Sequence, residues 1–255
     1  MRIAVIGAGS IGRWVIAALA QDGLGTEAII VRGTGPEGMA LARSVADLPP
    51  GITHLVDCAG HAGLAAHGPD ALASGIDVIT LSLGALADED LSRRLTQAAE
   101  AGGARLHLAS GAIGALDALR AAAVCGLRSV RYTGRKPPSG WAGSPAGDVL
   151  DLATLAAPAI HFDGTARDAA RRYPKNANVA AAVALAGLGF DATQVRLIAD
   201  PTATGNTHEI MADGAFGRFR FEITGAALPD NPKSSALAAM SVLAEIRRLR
   251  APVTT

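Results

Sequence analysis

The opening twelve residues, Met1-Arg-Ile-Ala-Val-Ile-Gly7-Ala-Gly9-Ser-Ile-Gly12, constrain the fold more than any other stretch of the chain. An apolar run, Ile3 to Ile6, breaks directly into Gly-x-Gly-x-x-Gly, and Ile11, Val15, Ala18 and Leu19 then recur at helical spacing. Gly7 permits a tight turn off a strand, Gly9 lets backbone approach a pyrophosphate, and Gly12 lets the helix pack on the strand. The helix start, at Ser10 and Ile11, offers N–H groups and a positive dipole end to phosphates. The glycine motif alone is a weak signal. Its place between a strand and a helix makes it a dinucleotide site.

The next hundred residues alternate short apolar runs with helical stretches, as a parallel sheet with helices on its faces requires. Strands are expected at Ile3–Ile6, Glu27–Val31, His54–Cys58, Asp77–Thr80 and Arg105–Leu108, and helices at 10–21, 36–46, 62–74 and 88–101. Asp88 suits a cap for the last helix and Gly102-Gly103 a stop. The pattern changes after Gly111: residues 115–125 read as helix, Ser129–Thr133 as strand, 135–141 as a Pro/Gly-rich loop, and 164–172 and 177–188 as helices. Asn206 to Thr224 alternates strictly around Asp213-Gly214 and reads as an antiparallel hairpin, with Phe219, Phe221 and Ile223 on one face. The expected fold is therefore α/β. A Rossmann-type dinucleotide-binding domain spans residues 1–110, and a smaller α+β substrate and dimerisation domain spans 111–230. Residues 231–255, with a helix from Ser234 to Arg250, return to the first domain.

Acidic and basic residues balance at 23 each, so no net field favours nucleic acid or an anionic membrane. Neither partner is expected. Cys58 and Cys125 lie far apart and form no metal-ligand pair; a reducing cytoplasm is expected, with both thiols as small buried residues. A strand beginning at Ile3 leaves no room for a secretory signal, and no apolar run is long enough to span a bilayer.

In doubly wound sheets ligands bind at the carboxyl ends of the strands. Three such ends are polar or glycine-rich: Val56-Asp57-Cys58-Ala59-Gly60-His61, Leu81-Ser82-Leu83-Gly84 and Ala109-Ser110-Gly111-Ala112-Ile113-Gly114. Ala59, Gly60 and Ala112 are cofactor-contact candidates, because small residues permit close approach. The last of the three also serves as an interdomain hinge. After the second strand an NAD-specific site places a carboxylate for the ribose hydroxyls. This chain has Arg32 there, which attracts a 2′-phosphate or stacks on adenine, so NADP is expected to be accepted alongside NAD or preferred to it.

Among the six histidines, His54, His67, His107 and His161 read as structural or solvated. His61, just past a strand end, can reach a cofactor, although a structural role suits it better. His208 differs: it shares a strand face with Asn206, and a neutral imidazole oriented by an amide can take or give a proton. Lysine occurs only at 136, 175 and 233, each in a polar segment rich in Pro or Asn. Asn176 and Asn178 suit helix capping, or alternatively recognition of a carboxylate or carboxamide.

The blocks Cys58-Ala59-Gly60-His61, Ser82-Leu83-Gly84-Ala85-Leu86, Ser110 to Leu119, Tyr132 to Pro138, Tyr173 to Ala180, Gly205-Asn206-Thr207-His208 and Asn231 to Ser235, in this order, resemble the bacterial L-aspartate dehydrogenases over almost the whole chain. One departure is at Ser235, where Lys-Thr-Ser is expected and Lys233-Ser234-Ser235 stands; the hydroxyl is kept. The resemblance implies reversible oxidative deamination of L-aspartate to iminosuccinate, and then oxaloacetate and ammonia, with NAD or NADP. It implies an active-site role for His208, cofactor contacts from Ala112 and Asn178, and a homodimer. The imine product can feed NAD biosynthesis, and an assimilatory or degradative role is equally open.

On this reading L-aspartate binds between the two domains, its carboxylates held by a subset of Arg135, Lys136, Lys175 and Lys233, with Asn206 nearby. His208 either takes the amine proton or activates the water that hydrolyses the imine. No metal is expected. Two alternatives are a reductase of another small dicarboxylate or imine, such as a dihydrodipicolinate reductase, and a non-catalytic NAD(P)-binding regulator. The first lacks its paired-histidine motif here; the second has no use for a dianion pocket.

Overall fold

The computed structural model describes all residues except Glu37, Gly38, Lys175, Pro229, Asp230 and Thr255, and the backbone alone at Pro232 and Lys233. The chain divides into two compact units, one of Met1–Gly111 with Ala238–Thr255, the other of Ala112–Leu237.

The first unit runs β1 (Ile3–Ile6), α1 (Ser10–Gln21), β2 (Thr26–Ile30), β3 (Ala40–Ala42), β4 (His54–Asp57), α2 (His61–Ala73), β5 (Asp77–Thr80), α3 (Glu89–Gly102) and β6 (Leu106–Leu108). Its six strands are all parallel, in the order β3-β2-β1-β4-β5-β6, the doubly wound arrangement. Central strands are buried on both faces, which is why Ile3–Ile6 is uniformly apolar rather than alternating. Asp88 caps α3, accepting from the backbone N–H groups of Asp90 and Leu91, and Gly103 ends it in the left-handed region. The helix expected over 36–46 is corrected where the residues are described. Ala40–Ala42 forms the edge strand β3, and a 3-10 turn at Val45–Asp47 follows. Gly33, Gly35 and Pro36 disfavour a helical start, and Gly35 lies so close to Leu41 that a Cβ there would sit 2.4 Å from its side chain.

The second unit contains α4 (Leu116–Val124), β7 (Leu127–Lys136), β8 (Ala159–Thr165), α5 (Ala166–Arg172), α6 (Asn178–Ala186), α7 (Gly189–Ala192), β9 (Gln194–Ala199), β10 (Asn206–Gly214), β11 (Gly217–Gly225), β12 (Ala227–Leu228) and β13 (Asn231–Ser235). Five of the strands form a mixed sheet ordered β11-β10-β7-β9-β8, in which only β7 and β9 are parallel. Val130, Tyr132, Val195, Leu197, Ile210 and Ala212 point to its covered face, onto which the almost wholly buried α6 packs. The hairpin turn falls two residues later than the Asp-Gly signal suggests. Gly214 still pairs with Gly217, and Ala215-Phe216 makes the turn, with Gly217 at φ +113°.

α8 (Ala236–Arg250) places Val242, Leu243 and Ile246 in the core of the first unit beside Ile3, Val5, Val15 and Leu19. The return begins at Ala238, whereas β12 and β13 pair within the second unit. Both cysteines are free, but only Cys58 is withdrawn from solvent. Cys125 is exposed, because it caps the solvent-facing end of α4 just before Gly126 turns the chain at φ +94°.

Candidate functional site

The glycine turn of the first unit is shaped by backbone. Gly7 stands at φ +93°, and a Cβ on it would lie 3.0 Å from that of Ala59. On Gly12 a Cβ would lie 2.1 Å from the Gly7 carbonyl oxygen, so α1 can meet the turn only with glycine there. Gly9 is the opposite case: beyond its chain neighbours and nearby helix backbone, no heavy atom of the described residues lies within 4 Å of the position its Cβ would take. Gly9 is also the N-cap of α1, with no side-chain cap and no acidic residue in the first turn, where Ser10 and Ile11 sit. Open backbone, uncapped N–H groups and an uncancelled dipole fit a dinucleotide pyrophosphate.

Asp57, wholly buried at the end of β4, ties this turn to its neighbours. Its carboxylate accepts from Ala59 N (3.0 Å), Thr80 Oγ1 (2.8 Å) and Ser82 Oγ (2.5 Å). Burial raises its pKa, and the three donors act against that rise. Through Ala59 it fixes the wall against which Gly7 turns, and Gly60 follows at φ +80° as the N-cap of α2. The strand-end composition pointed to this segment, but period and spacing do not reveal the buried carboxylate network. Arg32 is exposed just beyond β2. Arg43 braces the same loop, donating from Nη1 to the carbonyls of Val31 (2.5 Å) and Gly33 (3.0 Å).

In the second unit, alternation along β7 and β10 brings distant residues to one face. Gly134 pairs with His208, so Tyr132, Gly134 and Lys136 on β7 share the covered face with Asn206 and His208 on β10. His208 is only 4 % exposed and its Nδ1 lies 2.7 Å from the Tyr132 hydroxyl. Burial, helped by the charge of Lys136, pushes its pKa down to about 4. Burial raises that of Tyr132. Lys136 donates from Nζ to Asn176 Oδ1 at 2.9 Å, its ammonium lies 4.8 Å from the centre of the Trp141 ring, and burial lowers its pKa to about 8. A Cβ on Gly140 would approach both the Lys136 side chain (3.3 Å) and Asn206 Oδ1 (3.8 Å), which places that amide beside the lysine stem.

Lys136, Asn206 and His208 are thus brought together, and Asn176 joins them. The capping alternative for the two asparagines is corrected: Ala177 is the N-cap of α6, without a side-chain cap, and Asn178 is its first residue. Ala112, buried, opens the second unit. Arg135 stands apart. As the neighbour of Lys136 it faces the other side of the sheet, where Nη1 binds Asp200 Oδ2 at 2.6 Å. Lys175 lies outside the described residues, as does the side chain of Lys233. Sequence reasoning missed Tyr132 and Trp141 as members of the cluster; the period-two spacing of 132, 134 and 136 was the available signal for the first. Among the described residues no group of three or more His, Cys, Asp or Glu could hold a metal ion, and no helix is long and apolar enough to cross a membrane.

A pyrophosphate turn in one unit and nitrogen groups suited to proton transfer in the other place the chain among the NAD(P)-dependent dehydrogenases. Residues 117–249 match the family described as aspartate dehydrogenase, C-terminal, and residues 7–109 the one described as homoserine dehydrogenase, NAD binding domain. The chain is 56 % identical to L-aspartate dehydrogenase of Ruegeria pomeroyi, over 99 % of this chain and 94 % of that one. It is 48 % identical to that of Pseudomonas aeruginosa, over 95 % of both. The crystal structure of aspartate dehydrogenase from Thermotoga maritima superposes with a TM-score of 0.82 at 26 % identity, covering 100 % of this chain and 99 % of the other. The chain belongs to the L-aspartate dehydrogenase family.

Proposed function

We infer that the protein catalyses the reversible oxidative deamination of L-aspartate to iminosuccinate, and so to oxaloacetate and ammonia, with NAD+ or NADP+. The observation that carries this reading is the inward-facing set of His208, Lys136, Asn206 and Asn176 in a chain that also holds an open dinucleotide turn. Gly7, Gly9, Ser10, Ile11 and Gly12 would hold the pyrophosphate, Ala59 and Gly60 the adjoining wall, and Ala112 and Asn178 further parts of the cofactor. Bound NAD(P)+ supplies the two-electron acceptor for the substrate's α-hydrogen.

The chain's own residues have three tasks. Lys136 presents its Nζ to the substrate while Asn176 fixes its direction. Asn206 offers an amide on the same face. The substrate ammonium must lose a proton before its α-carbon can release hydride, and His208 and Lys136 are the nitrogen groups of this face that can manage that proton. The homodimer and the cytoplasmic location belong to the same reading, supported by the family and by two free cysteines.

The test is turnover measured by NAD(P)H absorbance, with L-aspartate, L-glutamate, L-alanine and L-malate against both cofactors, and with oxaloacetate plus ammonia in reverse. Aspartate alone is expected to react. Cofactor binding without turnover of any of these substrates would leave the regulator reading in its place. Replacing Arg32 by Ala is expected to raise KM for NADP+ more than for NAD+, and equal effects would remove it from cofactor choice.

A further inference from the structure

Two nitrogen groups share the inward face, and their hydrogen bonds separate their roles. The Tyr132 hydroxyl is buried, and among the described residues His208 Nδ1 is its only hydrogen-bond partner. A buried hydroxyl that donates to no acceptor is costly, so the Tyr132 O–H points at Nδ1. The neutral ring then carries its own hydrogen on Nε2. In that tautomer His208 presents a donor to the substrate, and its one lone pair, on Nδ1, is taken up by the Tyr132 hydroxyl. Lys136 has the opposite arrangement. Its Nζ is held by a neutral amide oxygen, that of Asn176, so among the described residues no carboxylate ion pair locks it in the charged form. The Trp141 ring lies along one side of the ammonium.

Resting on the aspartate reading, we propose that Lys136 is the general base of the oxidative direction and the general acid of the reverse, while His208 acts as a neutral hydrogen-bond donor through Nε2–H. In the forward step one N–H bond of the substrate ammonium breaks. The proton passes to the lone pair of Nζ, and the electron pair stays on the amine nitrogen. That pair would form the C=N bond as the α-hydrogen leaves with its two electrons, for which bound NAD(P)+ would supply the acceptor. In the reverse direction the Lys136 ammonium returns the proton.

The groups facing Lys136 leave this chemistry possible near neutral pH. His208 from β10 and His161 from β8 both feel its charge, and burial holds both neutral. Tyr173, after α5, is engaged with His161. Arg135 points to the other face and is paired with Asp200. Desolvation alone accounts for the lowered basicity of Lys136, down to about 8, which suits a base for an amine substrate.

The experiment uses the full chain and exploits its having only three lysines. Carbon-13 labelling at lysine Cε gives three resonances, and loss of one in Lys136→Met assigns it. In cofactor-free protein that resonance is expected to titrate near 8. The kcat/KM for aspartate oxidation should rise through the same pH range. Lys136→Met should lose about 10²-fold or more in kcat, with partial return on adding ethylamine. Lys136→Arg keeps a cation that stays protonated; it should bind NAD(P)H yet lack the rising limb. His208→Gln should be slower but keep the limb. Wild-type protein inactive on aspartate would sink the functional reading, and this proposal with it. Active wild type with Lys136→Met within tenfold in kcat, or raised only in KM, would overturn the proposal alone. Loss of the limb in His208→Gln with its retention in Lys136→Arg would overturn it too.

Discussion

The second unit holds two buried histidine–tyrosine pairs that are chemically alike and differently placed. His208 bonds Tyr132 at 2.7 Å, and His161 bonds Tyr173 at 3.1 Å; the imidazoles are 4 % and 5 % exposed. Burial pushes each pKa down to about 4. The difference lies beyond the pair. His161 is walled by aromatic rings, with Trp141 edge-on at 4.3 Å, and its Nε2 is buried without a partner among the described residues. His208 stands on a strand face with Asn206, beside the strand that carries Lys136. A shifted pKa therefore marks burial in both cases; what differs is that one imidazole stands among polar side chains on a strand face and the other among aromatic rings.

The sharpest break in the comparison is His208→Ala. Loss of a hydrogen-bond donor acting on the substrate in the transition state should cut kcat by about 10²–10³-fold, with the affinity for NAD(P)H unchanged. Fluorescence titration of the cofactor alongside steady-state kinetics reads both. A mutant within threefold of wild type would make the two pairs equivalent and remove His208 from the reaction.

The second effect treats the pairs as equals. Each imidazole has a folded-state pKa of about 4, below the ordinary value of about 6.5. The unfolded chain therefore binds protons first as pH falls. Stability contributed by the neutral rings is present above about 6.5 and is lost as pH drops towards 4, at up to about 1.4 kcal/mol per pH unit for each ring. Denaturant melts between those limits should be shallower with pH in His161→Gln than in wild type. An identical slope would show that His161 takes its proton without unfolding.

How much of this was legible in the sequence depends on how far apart the partners lie. The phosphate turn is complete within residues 7–12, and its needs are those of backbone sterics, so glycine spacing spells it out. The strands β8 and β9 were missed: β8 carries an irregularity between Ile160 and Phe162, and β9 follows the short α7 closely, so neither offers a clean alternation bounded by turns. His208 and Asn206 could be put on one face by counting, whereas Tyr132 lies 76 residues from its histidine and is joined to it only by strand pairing. Asn176 likewise reads as a cap until the helix start is seen at Asn178.

A smaller change sharpens the tautomer argument. Tyr132→Phe removes the donor to Nδ1 and leaves that atom buried without its hydroxyl, at a cost of about 1 kcal/mol. The ring can then place its hydrogen on either nitrogen, and kcat is expected to fall roughly tenfold, the equivalent of about 1.4 kcal/mol in the barrier. Nitrogen-15 shifts of the His208 ring should show Nε2 protonated in wild type and a mixed population in the mutant. Nδ1 protonated in the wild type would reverse the donor assignment.

The smallest effect is expected at the other pair. Changing His161 to Phe deletes a buried Nε2 that has no partner among the described residues, which favours the folded state, and deprives the Tyr173 hydroxyl of its acceptor, which disfavours it. An aromatic ring of similar shape keeps the edge contact with Trp141 and the packing against Tyr173. The two polar terms oppose each other, so stability should change by no more than about 1 kcal/mol, and kcat by less than about twofold. The contrast with His208→Ala is then a difference between two buried imidazoles that a burial scale ranks as equal. A loss of kcat in His161→Phe comparable to that of His208→Ala would mean that the aromatic wall, and not the strand face, holds the reacting group.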